Sequence, residues 1–349
     1  MTRLGDILRA EIQNHGPIPV SAFMAQALGH PEHGYYRRAD PLGRGGDFIT
    51  APEISQMFGE LIGAWCSVVW RAMGQPDPVI LCELGPGRGT LMADLLRAAA
   101  MDAPFRKAIR IHLVETSPPL RARQAETLAE ARPIWHDTFD SVPSGPILAV
   151  ANEFFDALPI RQFIRRSEGW HERMIDFTNG TFAFVDGPVV AIDAPPASVG
   201  AIFETSDAAR GVASQLGARL AKNGGAALII DYGHVVTATG DTLQAVRRHA
   251  RAEPLADPGE ADLTAHVDFQ ALAGAARPTR AWGPVTQGAF LRGLGIELRA
   301  DRLMRSNPAK AREVELACGR LIDVTAMGTL FKTMALTDPA MPAPPGFEP

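Results

Sequence analysis

The stretch ELGPGRGTL, residues 83–91, combines an acidic residue with three alternating glycines. The acid is Glu83, and the glycines are Gly85, Gly87 and Gly89. Because glycine has no Cβ, such a loop lets the backbone approach a bound ligand closely. The spacing GxGxG, with Thr90 where a third glycine would stand, differs from the GxGxxG of dinucleotide pyrophosphate sites. A P-loop is excluded as well, because no Gly-Lys-Ser/Thr follows.

The pattern E-x-G-x-G-x-G resembles the first motif of class I methyltransferases, which use S-adenosylmethionine. In that setting the glycines make room for an amino-acid moiety and a ribose rather than for a phosphate. Glu83 would lie near the ammonium group of the ligand or order the loop around it. The resemblance implies S-adenosylmethionine as the cofactor.

Two further acids follow the next strand-like runs. Glu115 ends IRIHLVE, residues 109–115, where a carboxylate often accepts hydrogen bonds from both hydroxyls of a ribose. Asp137, in IWHDTF, is a candidate acceptor for the adenine amine. The alternatives are a solvated acid at a strand end for Glu115 and an ordinary loop aspartate for Asp137.

Polar side chains also follow the fourth strand-like run, in NEFFDALP, residues 152–159. Ligands of doubly wound folds bind outside the carboxyl ends of strands, so Asn152, Glu153 and Asp156 are candidates for the reacting centre. Two carboxylates can hold a guanidinium by paired hydrogen bonds, and their i, i+3 spacing would place them on one helical face. The alternative is a polar helix start, in which the acids complement the helix dipole.

Four stretches together resemble the MidA-like methyltransferases over roughly residues 1–337: GDFITAPEISQMFGELIG (46–63), ELGPGRGTL, NEFFDALP and DLTAHVDF (262–269). The family includes the mitochondrial methyltransferase that acts as an assembly factor for respiratory complex I. The resemblance implies a class I methyltransferase core, S-adenosylmethionine as the methyl donor, and a protein arginine of a complex I subunit as the acceptor.

Two of these stretches supply further candidate residues. The loop GRGGDF before TAPE could close over the cofactor, with Asp47 and Thr50 in contact with it. Thr50 and Glu53 also have the spacing of a capping box, which would explain a helix start without a ligand. His266, in DLTAHVDF, is a candidate acid or base, or a polar contact to the substrate, although a capping or packing role is the alternative.

The elements that must position these residues alternate between apolar runs and helical patterns from about residue 76. Such alternation predicts an α/β fold with a class I methyltransferase, Rossmann-like sheet of seven strands. Short strand-like runs at about 160–200, joined at Asn179-Gly180, predict an antiparallel β insertion. Residues 1–75 are expected to form a helical N-terminal region over the cofactor site, residues 76–337 the core, and the proline-rich residues 338–349 a disordered tail.

Composition limits the remaining possibilities. A net charge of −5 in 349 residues gives no global attraction to nucleic acid or to anionic membranes. The three cysteines form no CxxC, which disfavours a disulfide framework or a zinc site and fits a reducing, cytoplasmic location. The longest apolar run, LIGAWCSVVW, is too short to span a bilayer.

The sequence thus favours a methyltransferase that uses S-adenosylmethionine and acts on arginine of a protein. A methyltransferase for a small metabolite is one alternative. A cofactor-binding assembly factor with little turnover is another. The sequence does not indicate the oligomeric state.

Overall fold

The computed structural model describes residues 2–38 and 49–348 of the chain. The predicted cofactor residue Asp47 lies outside them. The helices are α1 (Arg3–His15), α2 (Val20–Gly29), α3 (Tyr35–Arg38), α4 (Ala51–Ile54), α5 (Gln56–Ala72), α6 (Thr90–Ala99), α7 (Ala103–Ala108), α8 (Pro118–Thr127), α9 (Asp207–Asn223), α10 (Phe269–Ala275), α11 (Gln287–Gly293), α12 (Ile296–Ser306), α13 (Ala311–Ile322) and α14 (Met327–Leu330).

The strands are β1 (Ile18–Pro19), β2 (Val79–Leu84), β3 (Ile109–Val114), β4 (Ile134–His136), β5 (Ile147–Asn152), β6 (Arg161–Arg165), β7 (Trp170–Thr178), β8 (Thr181–Val190), β9 (Ile202–Thr205), β10 (Gly225–His234), β11 (Gln244–Arg247), β12 (Ala250–Ala252), β13 (Asp262–Thr264), β14 (Val267–Asp268), β15 (Arg280–Thr286) and β16 (Phe331–Thr337).

The chain divides into two compact units, each assembled from three stretches of sequence. Unit 1 comprises Met1–Phe48, Phe155–Gly211 and His234–Leu272. Unit 2 comprises Ile49–Phe154, Val212–Gly233 and Ala273–Pro349. Helices α1 to α3 therefore belong to unit 1 and α4 and α5 to unit 2, whereas the sequence suggested a single boundary near residue 75.

Unit 2 contains a mixed sheet whose path runs β15-β16-β10-β5-β2-β3-β4. Neighbouring strands from β10 to β4 are parallel, and β16 and β15 add an antiparallel edge. Every residue of β2 and β5 is buried, as expected for central parallel strands covered by helices on both faces. The predicted α/β class is confirmed, while the exact number of strands in the whole sheet stays a prediction.

Helices α5 and α6 pack closely in the core of unit 2. A Cβ built on Gly63 would lie 2.6 Å from the Leu95 carbonyl oxygen, so only glycine fits at this crossing. The proline-rich C-terminal residues join the same core. Phe347 and Met341 are buried, and the Trp65 indole N–H donates to the Pro345 carbonyl oxygen at 3.1 Å. The structure therefore packs these residues, which the sequence suggested were disordered.

Unit 1 contains an antiparallel sheet in the order β1-β7-β6-β9, with β8 paired to β7. Strands β7 and β8 form a hairpin that turns at Asn179 and Gly180, whose φ angles of 53° and 82° are left-handed. This turn chemistry favours a tight hairpin, and the predicted antiparallel insertion is confirmed. Helices α1 and α2 contribute the apolar side chains of Leu8, Phe23 and Met24 to the core of this unit.

Candidate functional site

In unit 2 the carboxyl ends of β2, β3, β4 and β5 lie side by side, because these strands are parallel neighbours. The glycine loop follows β2 and leads into α6. Its three glycines are all left-handed, with φ of 66° at Gly85, 52° at Gly87 and 81° at Gly89. The Gly85 N–H donates to the Val114 carbonyl oxygen at 3.0 Å, which ties the loop to the end of β3. The loop thus begins at the edge where ligands of such sheets bind.

Glu83 lies at the penultimate position of β2 and is only 3% exposed. Within the part of the chain that the structure describes, its Oε2 atom is buried without a hydrogen-bond partner. Burial raises the pKa of this carboxyl to about 8. An isolated buried carboxylate is costly, so this atom is suited to a cationic donor brought in by a ligand.

Asn152 ends β5, the strand next to β2, and is also buried. Its Oδ1 atom is a second buried acceptor with no hydrogen-bond partner among the described residues. Its Nδ2 group donates to Glu153 Oε1 at 3.2 Å, which sets the orientation of the amide. Two unmatched acceptors therefore lie at the ends of adjacent strands, beside the glycine loop.

Glu115 immediately follows β3 and differs from Glu83 in having donors on both carboxylate oxygens. Oε1 accepts from the Ser117 N–H at 2.8 Å, and Oε2 accepts from Gln124 Nε2 at 3.2 Å. Burial raises the pKa of Glu115, and these hydrogen bonds oppose that rise. Each oxygen keeps further acceptor capacity, so the carboxylate can still receive hydroxyl groups of a ligand.

Gln124, on α8, was not identified from the sequence. Its Nε2 group also donates to the Gly87 carbonyl oxygen at 2.7 Å, and its Oε1 accepts from the Trp135 indole N–H at 2.8 Å. The side chain thus joins the glycine loop to Glu115. A buried glutamine on a mostly polar helix such as PPLRARQAET carries no motif, so only the tertiary contacts reveal it.

Asp137 follows β4, as predicted, but its side chain is 82% exposed and pairs with the Arg121 guanidinium at 2.7 Å. Arg121 also donates through Nε to the Glu115 carbonyl oxygen at 2.7 Å. The aspartate therefore lies at the predicted strand end in a solvated ion pair.

Glu153 has a left-handed backbone, with φ of 50°, which is uncommon for a residue with a side chain. Its N–H donates to the Ile230 carbonyl oxygen at 2.9 Å, and its Oε1 accepts from the Ala51 N–H at 3.0 Å. The bend that starts here is not a helix, so the expected shared helical face of Glu153 and Asp156 is wrong. The left-handed residue turns the chain sharply at the strand end instead.

Thr50 is the N-cap residue of α4, but its side chain makes no capping hydrogen bond. Glu53 does not complete a capping box either. Its Oε1 accepts from the Thr90 hydroxyl at 2.8 Å, and its Oε2 lies 3.6 Å from Arg88 Nη1. Arg88 lies in the glycine loop and Thr90 is the first residue of α6, so Glu53 connects α4 to that loop.

Asp231 was also missed from the sequence, although it ends the apolar run of β10. It is fully buried, and its carboxylate accepts from the N–H groups of Phe154 at 3.2 Å and Tyr232 at 2.9 Å. These bonds position the backbone just after Glu153. An acid directly after the apolar run GAALII is the signal that could have indicated it.

Asp156 belongs to unit 1, where it is buried. Its carbonyl oxygen accepts from the Ala265 N–H at 3.0 Å. Tyr36 lies in the same unit and donates through its hydroxyl to Asp262 Oδ1 at 2.9 Å. Burial, together with the charges of Asp262 and Asp156, raises the pKa of Tyr36. Unit 1 therefore holds two buried aspartates, Asp156 and Asp262, near Tyr36.

His266 lines a cavity of about 320 Å³ within unit 1. Its N–H donates to the Thr242 hydroxyl at 2.9 Å. Asp268 lies on the same wall and accepts from the Ala271 N–H at 2.9 Å, while its other oxygen is 3.7 Å from His234 Nε2. The apolar part of the wall includes Phe155 and other buried side chains, among them Ile160, Phe203 and Leu272. The size and mixed lining are typical of a site for a small molecule or a side chain.

Known proteins resemble this chain over nearly its whole length. A protein arginine methyltransferase NDUFAF7 homolog, mitochondrial, from Drosophila melanogaster is 37% identical, covering 94% of this chain and 83% of the relative. Protein arginine methyltransferase NDUFAF7, mitochondrial, from Danio rerio is 38% identical over 95% of this chain and 86% of its own length. A Burkholderia thailandensis protein, solved bound to S-adenosyl-homocysteine, is 31% identical with a TM-score of 0.88, over 99% of this chain and 94% of that one.

Residues 61–285 match a family of S-adenosyl-L-methionine-dependent methyltransferases. The chain belongs to this family. The resemblance to the MidA-like methyltransferases is thereby confirmed, and the chain is an enzyme that uses S-adenosylmethionine. Among the residues that the structure describes, no helix is both long and apolar enough to cross a membrane.

The residues of unit 2 fit this cofactor. S-adenosylmethionine carries an ammonium group that donates hydrogen bonds, and the unmatched acceptors Glu83 Oε2 and Asn152 Oδ1 require donors of that kind. Its ribose carries two hydroxyls, which suit the remaining acceptor capacity of Glu115. The left-handed glycines leave the backbone open between these groups. The individual contacts to the cofactor remain predictions.

Proposed function

We propose that the chain transfers the methyl group of S-adenosylmethionine to an arginine side chain of a protein, and that the acceptor is a subunit of respiratory complex I. The observation that carries the proposal is Glu153, a carboxylate held in a left-handed conformation at the end of the central strand β5. A backbone held in such a conformation at a strand end is typical of a functional position.

The relatives support the acceptor class. Several proteins that are 36% to 38% identical over more than nine tenths of the chain carry the name protein arginine methyltransferase. The complex I subunit follows from the family resemblance of the sequence motifs. The expected cytoplasmic location stays a prediction.

The proposed roles of the acids follow from the chemistry of arginine. When bound, the cofactor supplies an electrophilic methyl group on a sulfonium. A guanidinium is charged at physiological pH, so a nitrogen must be oriented and must lose a proton at or after attack. Carboxylates do both, because they accept paired hydrogen bonds from the guanidinium and can take a proton. We assign these roles to Glu153 and Asp156.

The cavity in unit 1 supports a role for His266 on the acceptor side. Its wall combines apolar side chains with the paired Asp268 and His234, so it suits a side chain of the acceptor protein better than a freely solvated ion. We assign His266 a polar contact to the acceptor.

The test is transfer of labelled methyl groups to candidate complex I subunits by the wild type, Glu153→Gln and Asp156→Asn. Each substitution keeps the side-chain shape and removes its charge. We expect transfer to fall by about 10²-fold or more, the scale for one proton-transfer or electrostatic group, with cofactor affinity nearly unchanged. The matched control is Glu60→Gln, which alters a buried acid paired with Arg97 and Arg299. It should lower stability and leave transfer by the folded protein intact.

The same assay separates the alternatives. Transfer at the wild-type rate by both variants would place the acceptor site elsewhere. If a small-molecule extract is labelled and no protein is, the acceptor is a metabolite and not an arginine side chain. Tight cofactor binding with no labelling of either would favour an assembly factor, and mass spectrometry of a deletion strain would then show no lost arginine methylation.

A further inference from the structure

Gln124 occupies a position from which it can control two parts of the cofactor site at once. It lies on α8 and is fully buried, at 0% exposed. One amide group reaches the Gly87 carbonyl oxygen at 2.7 Å and Glu115 Oε2 at 3.2 Å. We propose that Gln124 is a positioning residue for S-adenosylmethionine, which locks the ribose-binding carboxylate and the glycine loop in one arrangement.

The orientation of the Gln124 amide is determined by Trp135. The indole N–H can only donate, and it lies 2.8 Å from Gln124 Oε1. The oxygen of the amide must therefore face Trp135, and the NH₂ group must face Gly87 and Glu115. A glutamine NH₂ has two hydrogens, and two acceptors lie within reach, so the donors and acceptors match completely.

This arrangement has a consequence for the ligand. The Glu115 carboxylate is held by the Ser117 N–H on one oxygen and by Gln124 on the other, so it cannot rotate without breaking a buried hydrogen bond. Holding the acceptor in place before binding reduces the entropy lost when the ribose is bound. The hydrogen bond to the Gly87 carbonyl oxygen holds the glycine loop in the same way, because Gly87 has no side chain that could fix its own backbone.

The inference concerns the cofactor and goes beyond the proposed acceptor, so it can be tested without any methyl transfer. The variant is Gln124→Met, which keeps the length of the side chain and removes its hydrogen bonds. The matched control is Gln287→Met, which alters another fully buried glutamine of unit 2 whose amide donates to the Leu321 carbonyl oxygen at 2.9 Å. Calorimetry measures the affinities for S-adenosylhomocysteine and for its 2′-deoxy and 3′-deoxy analogues.

A loss of protein stability alone would weaken the binding of all three ligands by the same factor. A positioning role instead changes the ratio between the affinities for S-adenosylhomocysteine and for its deoxy analogues. Gln124→Met should weaken S-adenosylhomocysteine by about tenfold to a hundredfold and bring its affinity close to that of the deoxy analogues. Glu115→Ala should do the same. In the double variant the two losses should be less than additive, because both act on the same hydroxyl contacts. Gln287→Met should keep the wild-type ratio.

A second variant keeps the test decisive if Gln124→Met does not fold. Trp135→Phe removes the indole N–H that orients the amide and retains most of the ring, so it should reduce the ratio partially. Wild-type affinities and ratios in Gln124→Met, or in Trp135→Phe if that is the one that folds, would overturn the inference. A ratio unchanged by Glu115→Ala would overturn it too, because the ribose would then lie elsewhere.

Discussion

The ends of β2 and β3 present two glutamates in contrasting surroundings. Glu83, within β2, is buried with Oε2 lacking a hydrogen-bond partner among the described residues, and its pKa is raised to about 8. Glu115, just after β3, is similarly buried but accepts hydrogen bonds on both oxygens from Ser117 and Gln124. The two strands are direct neighbours, so the difference arises from side-chain partners and not from depth in the fold.

The contrast indicates which part of the cofactor each acid suits. An unmatched carboxylate gains most from a cation, because the ligand then supplies the missing charge and the missing donor. A carboxylate already held by donors is better suited to neutral hydroxyls, which need a fixed acceptor. We therefore expect Glu83 to bind the ammonium group and Glu115 the ribose.

The largest expected effect comes from Glu83→Gln. It removes the charge while keeping the shape, and loss of one member of a buried charge pair should weaken S-adenosylmethionine by about 10²-fold or more. The affinity for methylthioadenosine, which lacks the amino-acid group, should stay at the wild-type level. Calorimetry with both ligands measures the contrast. Equal losses of affinity for the two ligands would show that Glu83 contacts the nucleoside part of the cofactor instead.

The second prediction is a pH dependence specific to Glu83. Because its pKa in the free protein is about 8, the acid is protonated below that pH and must release the proton to bind a cation. Affinity for S-adenosylmethionine should therefore rise by up to about tenfold per pH unit toward pH 8, and fall above it as the ligand's own ammonium, with a pKa of about 8, is deprotonated. Calorimetry in buffers of different ionisation enthalpy would count the proton released, and Glu83→Gln should release none.

The same raised pKa affects the stability of the ligand-free protein. The folded state holds the proton to about pH 8, whereas an unfolded glutamate loses it near its ordinary value of 4.5. The stabilisation is thus complete below the unfolded pKa and is lost as the pH rises through the folded one. The melting temperature of the wild type should fall relative to that of Glu83→Gln between these values. Parallel curves for the two proteins would show that Glu83 is not buried as a neutral acid.

Glu115→Ala is expected to have a smaller effect, of about 1.5–3 kcal/mol, the usual range for hydrogen bonds to a charged group. In contrast to Glu83→Gln, it should weaken S-adenosylmethionine and methylthioadenosine equally, because both contain the ribose. Competition binding with the two ligands is sufficient to measure this. A loss confined to S-adenosylmethionine would reverse the assignment of the two acids.

The smallest effect is expected from Asp137→Asn, at the end of β4. The aspartate is largely exposed and already pairs with Arg121, and solvated pairs of this kind contribute about 0–1 kcal/mol. The affinity for S-adenosylmethionine should change by less than about fivefold, as 1 kcal/mol corresponds to a factor of about five. A loss as large as that of Glu115→Ala would support the predicted contact to the adenine amine.

Local patterns in the sequence were enough to predict the central strands of the sheet and the polar residues that follow them. Apolar runs such as VILCEL and ILAVAN, each preceded by a proline and followed by a glycine or an acid, correspond to the buried strands β2 and β5. The dipeptide Asn179-Gly180 indicated the hairpin correctly. These features depend on continuous apolar runs and on backbone freedom over a few residues, which the sequence displays directly.

Partners across the fold were decided by the tertiary structure alone. Gln124 meets Gly87 from 37 residues away, and Glu53 contacts Thr90 at the same separation instead of capping its own helix. The left-handed turn at Glu153 replaced an expected helix, since hydrogen bonds from Ala51 and to Ile230 hold it. The sequence by itself indicated the central parallel strands and the acids Glu83, Glu115, Asp137 and Glu153 at or near their ends. Which donors surround each acid, and hence its charge, was decided by packing between distant stretches, because hydrogen bonding and desolvation depend on neighbours in space.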